Sequence, residues 1–476
     1  MPGDAFDVAI VGAGPGGYVA AIRAGRLGLR AAVIDRGQWG GACLHWGCIP
    51  SKALIRAARL AGEIRRAGRF GIRSGAVEVD VPAMMAWKDG VVRRLSAGVR
   101  GLLRSAGAEA IAGEATIEAP GRVRVRVAGD GGERVLEVRA VVAATGARPI
   151  GLPGLPFDGA RVVSAKEALS LRAVPDRLLV IGGGAIGIEL GTAWALLGSK
   201  VAVVEMMPQI LPGFDPDAAA VVEKRLRRGG VEVMTGAKVE GAAEADGALR
   251  VDVRLADGSV RPIDADVALV AVGMRPDPSD AGLERLGPAR DGAGFVRVDE
   301  RLRTSIAGLY AIGDLTGPPL LAHRASRQGE IAAEAIAGRA SEYRPAAVPA
   351  AVCCEPEVAA VGITEAEAAR MGRPVRVGRF PFAASGRAAA GGDTDGFVKV
   401  VACADDGRVL GVQIVGPEAS ELIGEATLAV ECGLTARRIG EAIHAHPTLA
   451  EALMEAARAV AGEATHVIVG TRREPG

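Results

Sequence analysis

The chain is poor in the residues that most often anchor a core or a metal. Aromatics make up 3% of its 476 residues, and there are 5 histidines and 6 cysteines. Aliphatic side chains and alanine must therefore fill the interior. Six cysteines over this length cannot build the dense disulfide framework of a small secreted domain. Net charge is nearly absent too: 57 Lys+Arg against 56 Asp+Glu, a formal +1. There is no long-range field to gather nucleic acid or an anionic lipid surface, and neither is expected as a partner. No long apolar run is uninterrupted. The most apolar stretch, 178–197, contains Glu189 and a glycine cluster, which excludes a membrane span. The first apolar run follows Asp4 and Asp7 rather than a basic segment, so no signal peptide is expected and the cytoplasm is the expected compartment.

Glycine, by contrast, is abundant at 67 residues, and the hydrophobic fraction of 49% suffices for several cores. The length predicts about three domains. One pattern occurs twice. Residues 6–11 read as a buried strand running into Gly12-Ala13-Gly14-Pro15-Gly16-Gly17, then a helix through Leu27, then a strand 31–34 ending at Asp35. Residues 177–181 lead into Gly182-Gly183-Gly184-Ala185-Ile186-Gly187, a helix through Leu197, and a strand 200–204 ending at Glu205. The pattern is that of a dinucleotide fingerprint. Its first glycine makes the turn, the second admits the pyrophosphate, the third lets helix and strand pack, and an acid about 20 residues on accepts the ribose hydroxyls. One such loop is a weak signal; two complete units, each with its acid, predict two dinucleotides. Gly12, Gly14, Gly17 and Asp35 form the first set, and Gly182, Gly184, Gly187 and Glu205 the second. A carboxylate at Glu205 repels a 2′-phosphate, which predicts NAD rather than NADP.

Further apolar strands end in small residues: 141–144 in Thr145-Gly146, 268–272 in Gly273, and 309–312 in Gly313-Asp314. Asp314, at the end of one of them, can be a turn-forming aspartate. After about residue 345 the pattern changes to short alternating strands (396–402, 409–415) and amphipathic helices (420–432, 436–443, 449–461), an α+β domain. The tail 470–476 is expected to be disordered.

Cys43 and Cys48 lie in Gly41-Ala42-Cys43-Leu44-His45-Trp46-Gly47-Cys48-Ile49-Pro50-Ser51-Lys52, shortly after the first glycine loop. Two thiols beside a flavin could cycle between dithiol and disulfide. On an ideal helix their α-carbons would stand about 8–9 Å apart, whereas a disulfide needs less than about 7 Å. A regular helix is thus incompatible with the oxidised pair, and Gly47 is placed to absorb the distortion. Pro50 suits a first helical turn, which puts Cys48 at a helix N-terminus where a thiolate is favoured. Lys52, one turn beyond, can stabilise that thiolate or be an ordinary solvated charge. A static disulfide or two inert thiols are the alternatives for the pair. No second cysteine or histidine pair sits at zinc-ligand spacing, so no metal is expected.

These segments, with Tyr310-Ala311-Ile312-Gly313-Asp314 and His444-Ala445-His446-Pro447-Thr448-Leu449-Ala450-Glu451, resemble the pyridine nucleotide–disulfide oxidoreductases from about residue 5 to 465. Within that family the likeness is to the branch that oxidises dihydrolipoyl groups. The resemblance implies an α/β chain with two Rossmann-like domains, the second inserted in the first, plus a C-terminal α+β dimerisation domain. The implied segments are 1–150 and 273–345 for FAD, 151–272 for NAD, and 346–470 for the interface of a homodimer. It also implies roles, and puts Thr145, Gly146, Gly273, Asp314 and Ala322 at the cofactors. Cys43 would exchange with substrate and Cys48 would face the flavin. Lys52 would pair with Glu189, which is otherwise an ordinary buried ion-pair partner. His446, from the second subunit, would act as base, oriented by Glu451. Thr448-x-x-Glu451 also reads as a capping box opening the last helix. The His446–Pro447 bond is a candidate for the cis form. His444 is expected to be structural, and His323 to make a backbone contact at most. The implied substrate is a dihydrolipoyl group, free or on a carrier domain, with a 2-oxo acid dehydrogenase complex as the wider partner.

Three departures stand out. Asp35 replaces the more usual glutamate, His45-Trp46 replaces small or amide residues between the cysteines, and Cys353-Cys354 is an adjacent pair expected to be buried in the interface domain. Two other functions fit the same residues: reduction of another low-molecular-weight disulfide at the expense of NAD(P)H, or a flavin-bearing structural subunit of a larger complex in which turnover is incidental.

Overall fold

A computed structural model describes residues 5–129, 131–245, 247–276 and 280–467. The tail at 470–476 and the end of the 346–470 segment lie outside these residues. Strands that are apolar on both faces form the centre of the first sheet, as parallel pairing under covering helices requires. Ala5–Val11 pairs in parallel with Ala31–Asp35 and with Glu133–Ala143, placing Ile10 opposite Val33 and Val142. Glu109–Ala119 and Glu133–Ala143 run past the parallel layer and join Arg122–Val127 in an antiparallel ribbon. Leu309–Ala311 returns late in the chain to pair in parallel with Val141 to Ala143.

Between Ala143 and Leu309 the chain builds a second sheet. Its five parallel strands run in the order Glu232–Thr235, Lys200–Glu205, Arg177–Ile181, Val267–Val270, Val162–Val163. The second nucleotide-fold sheet is therefore inserted into the first. A third sheet has five antiparallel strands in the order Ala350–Val352, Glu357–Gly362, Val409–Gly416, Phe397–Cys403, Val375–Pro381. Helices Ala419–Glu431 and Glu451–Ala459 pack on it, burying Ile423, Ala426, Leu453 and Ala456.

Backbone approach between two helices sets the mouth of the first nucleotide fold. In Pro15–Arg26, Gly16 lies so near Ala325 that an added Cβ would sit 3.0 Å from its carbonyl oxygen, and a Cβ on Gly329 of Ala322–Ile336 would collide with Gly16. That contact brings the segment 313–322 over the first glycine loop. Several element ends differ from the sequence reading. The 268–272 strand stops at Val270, three residues before Gly273 at φ +129°, and the 449–461 helix starts only at Glu451. Among the described residues no helix is long and apolar enough to cross a membrane.

Candidate active site

Gly47 breaks the chain between helices Gly41–Trp46 and Cys48–Arg66, with φ −133° and ψ −114°. The break brings the Cys43 and Cys48 α-carbons to 4.7 Å, and the two are disulfide-bonded. Cys48 is the first residue of its helix and Pro50 lies in the first turn, so the helix dipole favours a thiolate there. Lys52 Nζ donates to both oxygens of Glu189, at 2.8 and 2.9 Å. Glu189 is 6% exposed, and its Oε1 accepts a further bond from the Cys353 N–H at 2.8 Å.

A cavity of about 530 Å³ joins these groups to the first glycine loop. Its lining includes Gly12, Gly14, Asp35, Cys43, Cys48, Lys52, Thr145, Gly146, Glu189, Asp314 and Ala322. Each glycine of the loop has its own physical reason. Gly12 holds φ +103°, a Cβ on Gly14 would enter open space, and a Cβ on Gly17 would collide with the Gly12 carbonyl oxygen. Gly14 therefore keeps the helix N-terminus clear for a phosphate, while Gly17 packs helix on strand without lining the cavity. Asp35 is fixed by backbone donors: Ala13 N–H to Oδ2 at 2.9 Å, and Gly37 and Gln38 N–H to Oδ1 at 3.1 and 2.8 Å. Two polar groups in the lining lack protein partners among the described residues. Thr145 Oγ1 is buried without a hydrogen bond, and no hydrogen bond is made by the Asp314 carboxyl, which burial pushes above the usual carboxylate range against the pull of Arg324. A clear phosphate cradle with unpaired polar groups further along fits a flavin dinucleotide.

The second unit repeats the logic. Gly182 is at φ +108°, a Cβ on Gly184 would enter open space, and one on Gly187 would collide with the Gly182 carbonyl oxygen. Glu205 accepts from the Gly183 N–H at 2.6 Å and the Met207 N–H at 2.7 Å. These residues lie outside the cavity, yet Ala185, Ile186, Glu189 and Leu190 of the helix they open line it. Gly273 does not line the cavity; its neighbour Met274 does.

His446 and Glu451 are brought together but not into the cavity. His446 Nδ1 stands 2.9 Å from Glu451 Oε1, and Glu451 Oε2 accepts the Thr448 N–H at 2.8 Å. The carboxylate is the acceptor, so Nδ1 carries the proton and the Nε2 lone pair remains available. The imidazole is 80% exposed. The Thr448 N–H, and then His446, hold the Glu451 carboxyl below the usual carboxylate range. The capping box is half formed: the Glu451 carboxylate takes the Thr448 N–H, while Thr448 Oγ1 donates to the Ala445 carbonyl and the helix begins at Glu451. The His446–Pro447 bond is cis. His444 is tied to the Ala442 carbonyl and Glu425, and His323 to the Pro349 carbonyl.

Three features escaped the sequence. Gly41, at φ +64°, lies against Gly14, where a side chain would collide; the glycine pair before the first cysteine was its only signal. Trp46 lines the cavity while His45 does not, its Nε2 lying 3.2 Å from the Trp39 carbonyl oxygen and 3.4 Å from Ser96 Oγ. Cys354 is buried, but Cys353 is only half-buried and lies against the Lys52–Glu189 pair; burial pushes its thiol up to about 11.

The model of the pyridine nucleotide-disulphide oxidoreductases matches residues 6–329, and that of their dimerisation domain matches residues 348–457. The chain belongs to this family. Among its relatives, the dihydrolipoyl dehydrogenase of Geobacillus stearothermophilus is 46% identical over 459 residues, spanning 96% of this chain and 97% of that one. The solved structure of LpdA from Mycobacterium tuberculosis superimposes with a TM-score of 0.87 at 33% identity, covering 95% of this chain and 98% of that one. That of the HOCl-induced flavoprotein disulfide reductase RclA from Escherichia coli gives 0.83 at 26% identity, covering 95% and 99%.

Proposed function

We propose that the chain is an FAD-containing, NAD-dependent dihydrolipoyl dehydrogenase, working as a homodimer. The observation that carries this reading is the Cys43–Cys48 disulfide in the same cavity as the first glycine loop. Near full-length likeness to dihydrolipoyl dehydrogenases supports the substrate class. Gly12, Gly14, Asp35, Thr145, Gly146, Asp314 and Ala322 would hold FAD; Gly182, Gly184, Gly187, Glu205 and Gly273 would hold NAD. Segments 1–150 and 273–345 are assigned to the first fold, 151–272 to the second and 346–470 to the interface. We place the protein in the cytoplasm, in line with its sparse cysteines, and infer a 2-oxo acid dehydrogenase complex as its wider partner.

The residues divide the chemistry as follows. A substrate thiolate attacks the Cys43 sulfur, the Cys43–Cys48 bond breaks, and Cys48 leaves as a thiolate stabilised by its helix N-terminus and Lys52. His446 of the partner subunit, with Nδ1–H held by Glu451, takes the proton of the second substrate thiol at Nε2. That thiol attacks the substrate sulfur bound to Cys43, so the lipoyl disulfide departs and Cys43 is released. Bound FAD would take up the electron pair of the reduced cysteines and hand it to NAD. Steady-state rates with dihydrolipoamide and NAD, against monothiols and NADP, test the reading. Dihydrolipoamide with NAD should be faster by orders of magnitude. A preference for another disulfide with NADPH would replace this function with that of a low-molecular-weight disulfide reductase.

A further inference from the structure

The helix that begins at Cys48 carries Lys52, Arg59 and Arg66, each two turns after the last. Every one meets a carboxylate from another part of the chain: Glu189 at 2.8 Å, Glu357 at 2.8 Å and Glu355 at 3.1 Å. The last two belong to residues 353–357, the strap that joins strand Ala350–Val352 of the third sheet to its antiparallel neighbour Glu357–Gly362. One continuous set of hydrogen bonds runs along it. Ser420, at the start of helix Ala419–Glu431, donates through its Oγ and N–H to Glu357 Oε2 at 2.6 and 3.0 Å. Glu357 Oε1 accepts from Arg59 Nη1 at 2.8 Å, and Arg59 Nη2 donates to the Cys354 and Cys353 carbonyls at 2.8 and 3.3 Å. The Cys353 N–H then donates to Glu189, which grips Lys52.

We propose that Arg59 and Glu357 are positioning residues for the redox site: they hold the strap so that the Cys353 N–H fixes Glu189, and Glu189 in turn fixes the Lys52 ammonium near Cys48. The proposal rests on the function inferred above. A carboxylate as buried as Glu189 needs each of its donors. The Lys52 side chain is 45% exposed, so without that grip it is free to turn to solvent and leave the thiolate less stabilised. Glu189, Arg59 and Glu357 all act electrostatically on both strap cysteines, Cys353 and Cys354, and Lys52 acts on Cys353. Both thiols are raised by burial and stay neutral near neutral pH.

The test reduces the flavin-loaded enzyme anaerobically with dihydrolipoamide and follows the pH midpoint of the long-wavelength absorbance between the Cys48 thiolate and the flavin. Arg59→Gln should raise that midpoint by about one unit, tenfold in the acid constant. Glu189→Gln should shift it in the same direction, and the double variant no further than Glu189→Gln alone. Glu357→Gln, close in shape to the native residue, should reproduce the Arg59→Gln shift and serves if Arg59→Gln loses flavin. An unmoved midpoint in flavin-replete Arg59→Gln or Glu357→Gln protein, or fully additive shifts, overturns the positioning role. Absence of the absorbance from the unsubstituted enzyme refutes the functional reading instead, and the positioning role with it.

Discussion

The cavity around Cys43 and Cys48 and the corner around His446 are built in opposite ways. The cavity is assembled from distant parts of one chain: the first glycine loop, the redox helix, the inserted helix Ala185–Leu197 and the segment 313–322. Two of its carboxylates, Asp35 and Glu189, are anchored by several donors each. The His446 corner makes one local pair with Glu451 and is otherwise open: the imidazole is 80% exposed and Ile443 fully so. Both residues lie within 348–457, the segment that matches the dimerisation domain. In a family with a dimerisation domain, the difference matches the proposed function, in which one chain would complete the electron-carrying half of the site and a second copy would supply the base.

The contrast can be broken in several places. Cys48→Ser should lower dihydrolipoamide turnover by at least about a thousandfold, because no other thiol is placed to accept the leaving electrons; stopped-flow and steady-state rates check it. His446→Gln should be severe as well, but its defect sits on the other side of the interface. Mixing unfolded Cys48→Ser and His446→Gln chains and refolding them together should restore about a quarter of the native rate, since half the dimers are mixed and each has one intact site. No recovery would place both residues in a site made by one chain.

Glu205→Arg sharpens the contrast from within the inserted fold. Its carboxylate, bonded to the Gly183 and Met207 N–H groups, would discriminate by charge in the proposed function, so the NAD-over-NADP ratio of kcat/KM should fall about tenfold or more. An unchanged ratio would sink the cofactor assignment. The smallest effect is expected at Glu451. Its folded carboxyl titrates below the unfolded value, held first by the Thr448 N–H and then by His446. The stability it contributes is therefore complete above the ordinary carboxylate range, near about pH 4–5, and is lost as pH falls through the lower folded value. Because the pair is open to solvent, that contribution is about half a kcal/mol or less. Thermal melts should show Glu451→Gln with a flatter acid limb than the native protein, and identical limbs would contradict it.

The fold was largely legible because its signals are local. Apolar runs of five or six residues, a glycine forced to positive φ, and an acid at a fixed distance each follow from short-range sterics. The redox loop was legible for the same reason: five residues of helix cannot close a disulfide, so Gly47 had to break it. The strap was not. Arg59 and Glu357 are far apart in sequence, and neither periodicity nor spacing predicts that they meet. Cys353 illustrates the limit: its thiol suggested an inert core residue, whereas its backbone N–H is what reaches Glu189. The start of the last helix was misjudged because the Thr448 hydroxyl donates to the Ala445 carbonyl and the helix takes Ala450 as its N-cap, with no side-chain cap.

The most direct test of the central claim is anaerobic reduction of the purified, flavin-loaded protein with dihydrolipoamide, followed by alkylation and mapping of every cysteine. The account predicts that reduction exposes two new thiols per chain, Cys43 and Cys48, with Cys43 labelled first and Cys353, Cys354, Cys403 and Cys432 unchanged in labelling. A disulfide at Cys43 and Cys48 that survives excess dihydrolipoamide while NAD is still reduced would contradict it.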